Sequence, residues 1–246
     1  MSSSINDFIC ENTSYAASEA YRRLRQSVFF AIEDMEHCVL GVTSSQPSDG
    51  KSLTSLNLAY TLAQAEKRVI LVDCDLRRSS LHEMISLSQA PGLADILGGM
   101  NDISAIRQKY IPSVEGCLSF DVITGGTLPS NPSELLGSNR MKKLIATLKK
   151  AYDFVVLDLP PVLAVVDAQT CTSLTDGMVL VVRENHCTAQ IISDSVGLLQ
   201  QARANILGFV LNGSSEGAGK GYGYGKYYGY GKYAAEYTKK RINSDA

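Results

Sequence analysis

Val39-Leu40-Gly41-Val42-Thr43-Ser44-Ser45-Gln46-Pro47-Ser48-Asp49-Gly50-Lys51-Ser52 is an apolar run that stops at a loop of small residues. The loop ends in Gly50-Lys51-Ser52, and a helical pattern starts at once with Leu53, Leu56, Leu58, Ala59 and Leu62. Strand, loop and helix in that order make a cradle for phosphate. The loop's backbone N–H groups and the positive end of the helix dipole both face the anion. In such a loop the lysine reaches the β- and γ-phosphates and the next hydroxyl sits on magnesium, roles that fall to Lys51 and Ser52. Gln46, Pro47, Ser48, Asp49, Gly50, Lys51, Ser52 and Leu53 are the predicted nucleotide-binding residues. The consensus opens on glycine, and here Ser45 holds that place, so the stretch alone also suits an exposed turn before a helix.

Two more apolar runs bear on that choice. Val69-Ile70-Leu71-Val72 leads into Asp73-Cys74-Asp75, and four apolar residues in a row suit a strand buried on both faces of a parallel sheet. Ligands of open α/β sheets bind beyond the carboxyl ends of strands, where Asp73 and Asp75 would lie. Carboxylates there can hold magnesium, and one can take a proton from an attacking hydroxyl; the plainer role is a helix cap. Phe154-Val155-Val156-Leu157 ends in Asp158, and Pro160-Pro161 then takes the chain out of the sheet. Asp158 would bind magnesium, directly or through a water held by Ser52. The candidate catalytic set is Lys51, Asp73, Asp75 and Asp158. The candidate metal set is Ser52, Asp73 and Asp158.

Composition bounds the classes. The chain has 246 residues, 45% of them hydrophobic, which suffices for one α/β domain with a substantial core. A formal net charge of -2 gives no pull toward nucleic acid. Six scattered cysteines form no Cys-x-x-Cys pair and no Cys/His cluster, which argues against zinc and for reduced thiols in the cytosol. The polar start, Met1 to Asn6, lacks the features of a secretory signal, and no apolar run approaches the ~20 residues that span a bilayer. Work at a membrane would require another molecule to hold the chain there.

Residues 1–13 read as a loose tail, and 14–212 as the nucleotide-binding domain. A helix over 14–32 carries Ala17, Ala20, Tyr21, Leu24, Val28 and Ile32 at helical spacing. It also carries Glu19, Arg22 and Arg25, three apart, which suit either a solvated ion pair or a subunit contact. Residues 79–119 give few signals beyond a short glycine-ended helix over 92–99. A strand follows around Phe120–Ile123, and then a Gly- and Pro-marked loop. Ser133 is placed to cap one helix carrying Leu135, Leu136, Met141, Leu144, Ile145 and Leu148. Further strands fall at 177–183 and 206–211, around a helix over 188–204. The fold class is α/β, a three-layer sandwich with a mainly parallel central sheet. Residues 213–246 hold most of the chain's 12 tyrosines among glycines and lysines, a composition that cannot build a core.

These motifs, in this order, resemble the bacterial tyrosine kinases of capsule and exopolysaccharide synthesis. The matching stretches are Glu19-Ala-Tyr-Arg22-Arg-Leu-Arg25, Gly50-Lys51-Ser52, Val72-Asp73-Cys74-Asp75-Leu76-Arg77, Asn131-Pro132-Ser133-Glu134-Leu135-Leu136, Asp158-Leu159-Pro160-Pro161 and the tyrosine-rich tail. The resemblance implies an ATP- and Mg2+-dependent protein-tyrosine kinase. Lys51 would bind phosphate, Ser52, Asp73 and Asp158 the metal, and Asp75 the metal or the tyrosine proton. It implies a homo-oligomeric ring, an octamer, closed by Glu19, Arg22 and Arg25. The tail tyrosines Tyr222, Tyr224, Tyr227, Tyr228, Tyr230 and Tyr233 would be phosphorylated in trans in a neighbour's site. It further implies a cytoplasmic chain, separate from the membrane adaptor of the polysaccharide co-polymerase type that recruits it to the inner face of the membrane, and protein tyrosine substrates.

The loop departs from the family pattern at Ser48, where glycine is common, and at Asp49, where glutamate is usual. A positive φ at Ser48 would cost stability relative to glycine. Two alternatives stay open. A partitioning-type ATPase carries an extra lysine early in the loop, where this chain has Gln46. A nucleotide-binding oligomeric scaffold would bind ATP without transferring phosphate to tyrosine.

Overall fold

The computed structural model describes residues 15–33, 35–99, 102–112 and 118–213. The expected tail over 1–13 and the candidate phosphoacceptors Tyr222, Tyr224, Tyr227, Tyr228, Tyr230 and Tyr233 lie outside the described residues.

The elements run α1 (Tyr15–Ala31), β1 (Cys38–Ser44), α2 (Lys51–Gln64), β2 (Val69–Asp73), α3 (Leu81–Met84), α4 (Leu93–Gly98), β3 (Arg107–Tyr110) and β4 (Phe120–Ile123). There follow α5 (Pro132–Leu136), α6 (Asn139–Ala151), β5 (Phe154–Asp158), α7 (Asp167–Thr170), β6 (Gly177–Arg183), α8 (Ala189–Gln201) and β7 (Ile206–Asn212). One seven-stranded sheet has the order β3-β4-β2-β5-β1-β6-β7. Every pairing is parallel except β3 with β4.

The apolar runs explain the layers. Alternate residues of one strand face opposite cores. Leu40, Val42, Leu71 and Val156 pack with Leu56, Leu58 and Leu62 of α2 and with Val28 of α1. Val39, Val72, Val155 and Leu180 pack on the other face with Leu144, Ile145 and Leu148 of α6 and Leu199 of α8. Both faces are covered, so the central strands read as continuous apolar runs, and β1, β2 and β5 are buried at every position.

Three sequence expectations change. The helix after the loop begins at Lys51 rather than Leu53. β3, whose sequence is Arg-Gln-Lys-Tyr, is an antiparallel edge strand that carries no apolar signal. The single helix capped by Ser133 is two helices. Asn139–Ala151 is capped by Ser138, whose hydroxyl accepts the Met141 N–H at 3.2 Å. Gly137 and Ser138 break the run, and the Ser133 hydroxyl turns instead to Asp167 at 2.5 Å.

Candidate active site

The site forms where three parallel strands end side by side. Strand order puts β5 between β1 and β2, and Asp73 and Asp158 are register partners across β2 and β5. β1 feeds the phosphate loop directly into α2. Residues far apart in the chain therefore meet at one rim, the carboxyl edge at which open α/β sheets bind ligands.

Lys51 sits at the centre. Its Nζ lies 3.0 Å from Asp75 Oδ2, 3.5 Å from Asp158 Oδ2 and 3.1 Å from the Ser52 hydroxyl. Asp158 Oδ1 accepts the Ser55 hydroxyl at 3.1 Å. Asp73 accepts the Ser79 hydroxyl at 2.7 Å and the Asp75 N–H at 3.1 Å. Burial opposes the charge on Lys51, but Asp158, Asp75 and Asp73 outweigh it and hold its pKa above the ordinary value. Burial and the neighbouring Asp158 push Asp73 up, and burial pushes Asp158 up against the pull of Lys51. Carboxylates this close resist ionising together and favour a cation between them.

The loop is shaped for phosphate. Gly50 precedes α2 at φ 96°, a left-handed conformation, and offers no side chain to cap the first turn. The opening amides of Lys51, Ser52 and Leu53 are thus left to a ligand. A Cβ on Gly50 would come within 2.0 Å of Asn212 Nδ2. Thr54 buries a hydroxyl that has no partner among the described residues. An anion carrying a divalent cation fits this donor set: uncapped amides and an ammonium for phosphate oxygens, Ser52 and three carboxylates for the metal.

Of the predicted nucleotide-binding residues, Pro47 and Ser48 are exposed and Gln46 is half-buried. Ser48 has φ 68°, the conformation that glycine tolerates best. Asp49 is fully buried, and its carboxylate is spent on partners within the protein. Its Oδ2 accepts the Gln46 N–H at 2.9 Å, and its Oδ1 lies 2.6 Å from His186 Nδ1. Asp49 meets the adjacent pair His186 and Cys187, which follow β6, and the three offer ligand atoms within 4.8 Å of one another. Adjacent His and Cys carry no sign in sequence of a partner so far away.

Sequence reading assigned no role to several other contributors. Asn212 donates to the Asp49 carbonyl at 2.8 Å and Arg183 to the Ser48 carbonyl at 3.2 Å, so the ends of β7 and β6 brace the loop. Arg77 pairs with the buried Asp167 at 2.8 and 3.2 Å, tying the segment after Asp75 to the one after Asp158.

Within the chain, Glu19, Arg22 and Arg25 make different contacts. Arg22 pairs with Glu19 on the exposed face of α1. Arg25 turns inward and donates to the Thr61 carbonyl in the last turn of α2 at 2.7 Å.

A lysine held among strand-end carboxylates, above an uncapped helix start, defines a P-loop nucleotide-binding domain of the three-layer α/β class. A family model described as "AAA domain" matches residues 44–206. The tyrosine-protein kinase YwqD of Bacillus subtilis is 38% identical over 196 residues, covering 80% of this chain and 81% of that protein. The tyrosine-protein kinase etk of Escherichia coli is 39% identical over 212 residues, covering 86% of this chain and 28% of that protein. The chain thus spans little more than a quarter of the length of this E. coli relative. The solved kinase domain of E. coli ETK superposes with a TM-score of 0.80 at 37% identity, covering 89% of this chain and 84% of that one. The chain belongs to the bacterial tyrosine-protein kinase family.

Proposed function

We propose that this chain is an ATP- and Mg2+-dependent protein-tyrosine kinase. The observation that carries the reading is Lys51, held by Asp75 and Asp158 directly above the open first turn of α2. MgATP supplies the γ-phosphoryl group. The amides of Lys51, Ser52 and Leu53 bind its phosphates, and Lys51 swings from the carboxylates onto the β- and γ-oxygens. Ser52, Asp158 and Asp73 would hold the magnesium ion, which would neutralise phosphate charge. The acceptor tyrosine forms a bond from its oxygen to the γ-phosphorus as the bond to the β-bridging oxygen breaks. Asp75 takes the phenolic proton, and ADP leaves. Phosphoryl transfer of this kind depends on positioning and charge neutralisation more than on covalent chemistry by the protein.

The acceptors on this reading are Tyr222, Tyr224, Tyr227, Tyr228, Tyr230 and Tyr233, offered to a neighbouring subunit's site, together with tyrosines of other proteins. Glu19 and Arg22 contribute to a ring of subunits. The chain works in the cytoplasm, brought to the inner face of the membrane by an adaptor that also activates it, in a system that makes capsular or exopolysaccharide. Among the described residues no helix is long and apolar enough to cross a membrane.

Lys51→Met tests the reading. Labelling from γ-labelled ATP should disappear while the circular dichroism spectrum stays native; undiminished labelling would overturn the assignment. Mass spectrometry of the wild-type chain after incubation with MgATP should place phosphate on tail tyrosines. Nucleotide binding with no phosphotyrosine would favour the scaffold alternative.

A further inference from the structure

Asp49, His186 and Cys187 converge where the phosphate loop meets the turn between β6 and α8. Asp49 is fully buried. His186 Nδ1 is 2.6 Å from its Oδ1, and the Cys187 thiol donates to its Oδ2 at 3.3 Å. The three candidate ligand atoms lie within 4.8 Å of one another. Phosphoryl transfer uses neither His186 nor Cys187, and a fully buried carboxylate spent only on holding a turn is costly.

We propose that Asp49, His186 and Cys187 form a transition-metal site of the zinc class beneath the phosphate loop. One thiolate, one imidazole and one carboxylate are the ligand types a borderline-soft d10 cation selects over magnesium or calcium. Three protein ligands leave the fourth tetrahedral position to a water. Thiolate and carboxylate together neutralise a divalent cation, so filling the site buries no net charge. On binding, the Cys187 thiol gives its proton to solvent, as does His186 Nδ1 where it carries one. The way in is open. The His186 side chain is 43% exposed and lines a hollow of about 290 Å³ with Ser45, Gln46, Pro47, Leu163 and Ala164. Ser45 adds to that wall a buried hydroxyl beside Cys187, a second polar group for the metal-bound water.

The metal would grip the phosphate loop one residue before Gly50-Lys51. Its availability would thereby be linked to the shape of the loop. The site stands on its own geometry, whether or not the chain transfers phosphate.

The test uses the full untagged chain, stripped with a chelator and titrated with Co2+ alone. One equivalent should bind with a thiolate-to-cobalt charge-transfer band, and Zn2+ should bleach it. Cys187→Ser should lose the band and His186→Gln should lose tight binding, while Cys117→Ser keeps both. No band in the wild type, or a band that survives Cys187→Ser, would overturn the proposal. So would equal affinity in His186→Gln, which would take the imidazole out of the ligand set. A second measurement covers variants that fail to fold. Zn2+ should protect Cys187 of the wild type from iodoacetamide, read by mass spectrometry, and labelling that Zn2+ leaves unchanged would count against the site.

Discussion

At the scale of the residue, the site is a cluster of three carboxylates held around one ammonium. A carboxyl whose folded pKa is raised costs stability once the pH climbs above its unfolded range, because the folded state resists the charge. Asp73 is in that position, raised by burial and by Asp158. Asp73→Asn removes that cost. Thermal melts without nucleotide should find the variant at least as stable as the wild type at mildly alkaline pH. The advantage should shrink as the pH falls toward the ordinary carboxylate range. Phosphate transfer should be lost at every pH, and a variant that gained stability on acidification would reverse the sign argued here. Ser48 carries a different strain, its φ of 68° costing about 1 kcal/mol for a residue with a Cβ. Urea unfolding should show Ser48→Gly as neutral to stabilising by up to about 1 kcal/mol, and Ser48→Val as destabilising by at least that much.

At the scale of the element, the last carbonyls of a helix need donors from elsewhere. The Ala65 N–H closes the last turn of α2 onto the Leu62 carbonyl, and Arg25 supplies a charged donor to the Thr61 carbonyl. A guanidinium at a helix C-terminus also meets the negative end of the dipole. Arg25→Ala should therefore lower unfolding stability by about 1 kcal/mol, whereas Glu19→Ala and Arg22→Ala, an exposed pair, should change it by a few tenths. Light scattering on the Glu19 and Arg22 variants then tests ring formation without the confusion of a weakened α1–α2 contact. Asp-x-Asp and the lone strand-end Asp158 were legible because β2 and β5 are buried on both faces and must read as apolar runs that end at polar residues. β3 was not legible, because an edge strand facing water needs no such pattern. The break between α5 and α6 was missed for a related reason. Leu135, Leu136, Met141, Leu144 and Ile145 keep a helical apolar pattern across the break, and only the cap at Ser138 reveals it.

At the scale of the whole molecule, all seven strands lie between Cys38 and Asn212, and the compact unit closes at Gly213. Removing residues 214–246 should leave the thermal unfolding of that unit within about 1 kcal/mol of the full chain while abolishing labelling of tail tyrosines. A large loss of stability would mean that the tail is part of the core. The crossover order of the sheet brings Asp73 and Asp158 into register, although 84 residues separate them in the chain (158 − 73 − 1). The same order puts Arg183 and Asn212 against the phosphate loop from the far side.

The amino-acid sequence determined the class of fold and singled out Lys51, Ser52, Asp73, Asp75 and Asp158, which the fold gathers at one rim. Each of these is a local signal, a run of apolar residues that stops at a charge or a glycine. Only the tertiary structure decided that Arg25 faces inward, that Ser133 serves Asp167 rather than a helix end, and that Asp49 gathers His186 and Cys187. Those outcomes depend on which strands lie side by side, and strand order is set by the packing of two faces that no single stretch of chain encodes.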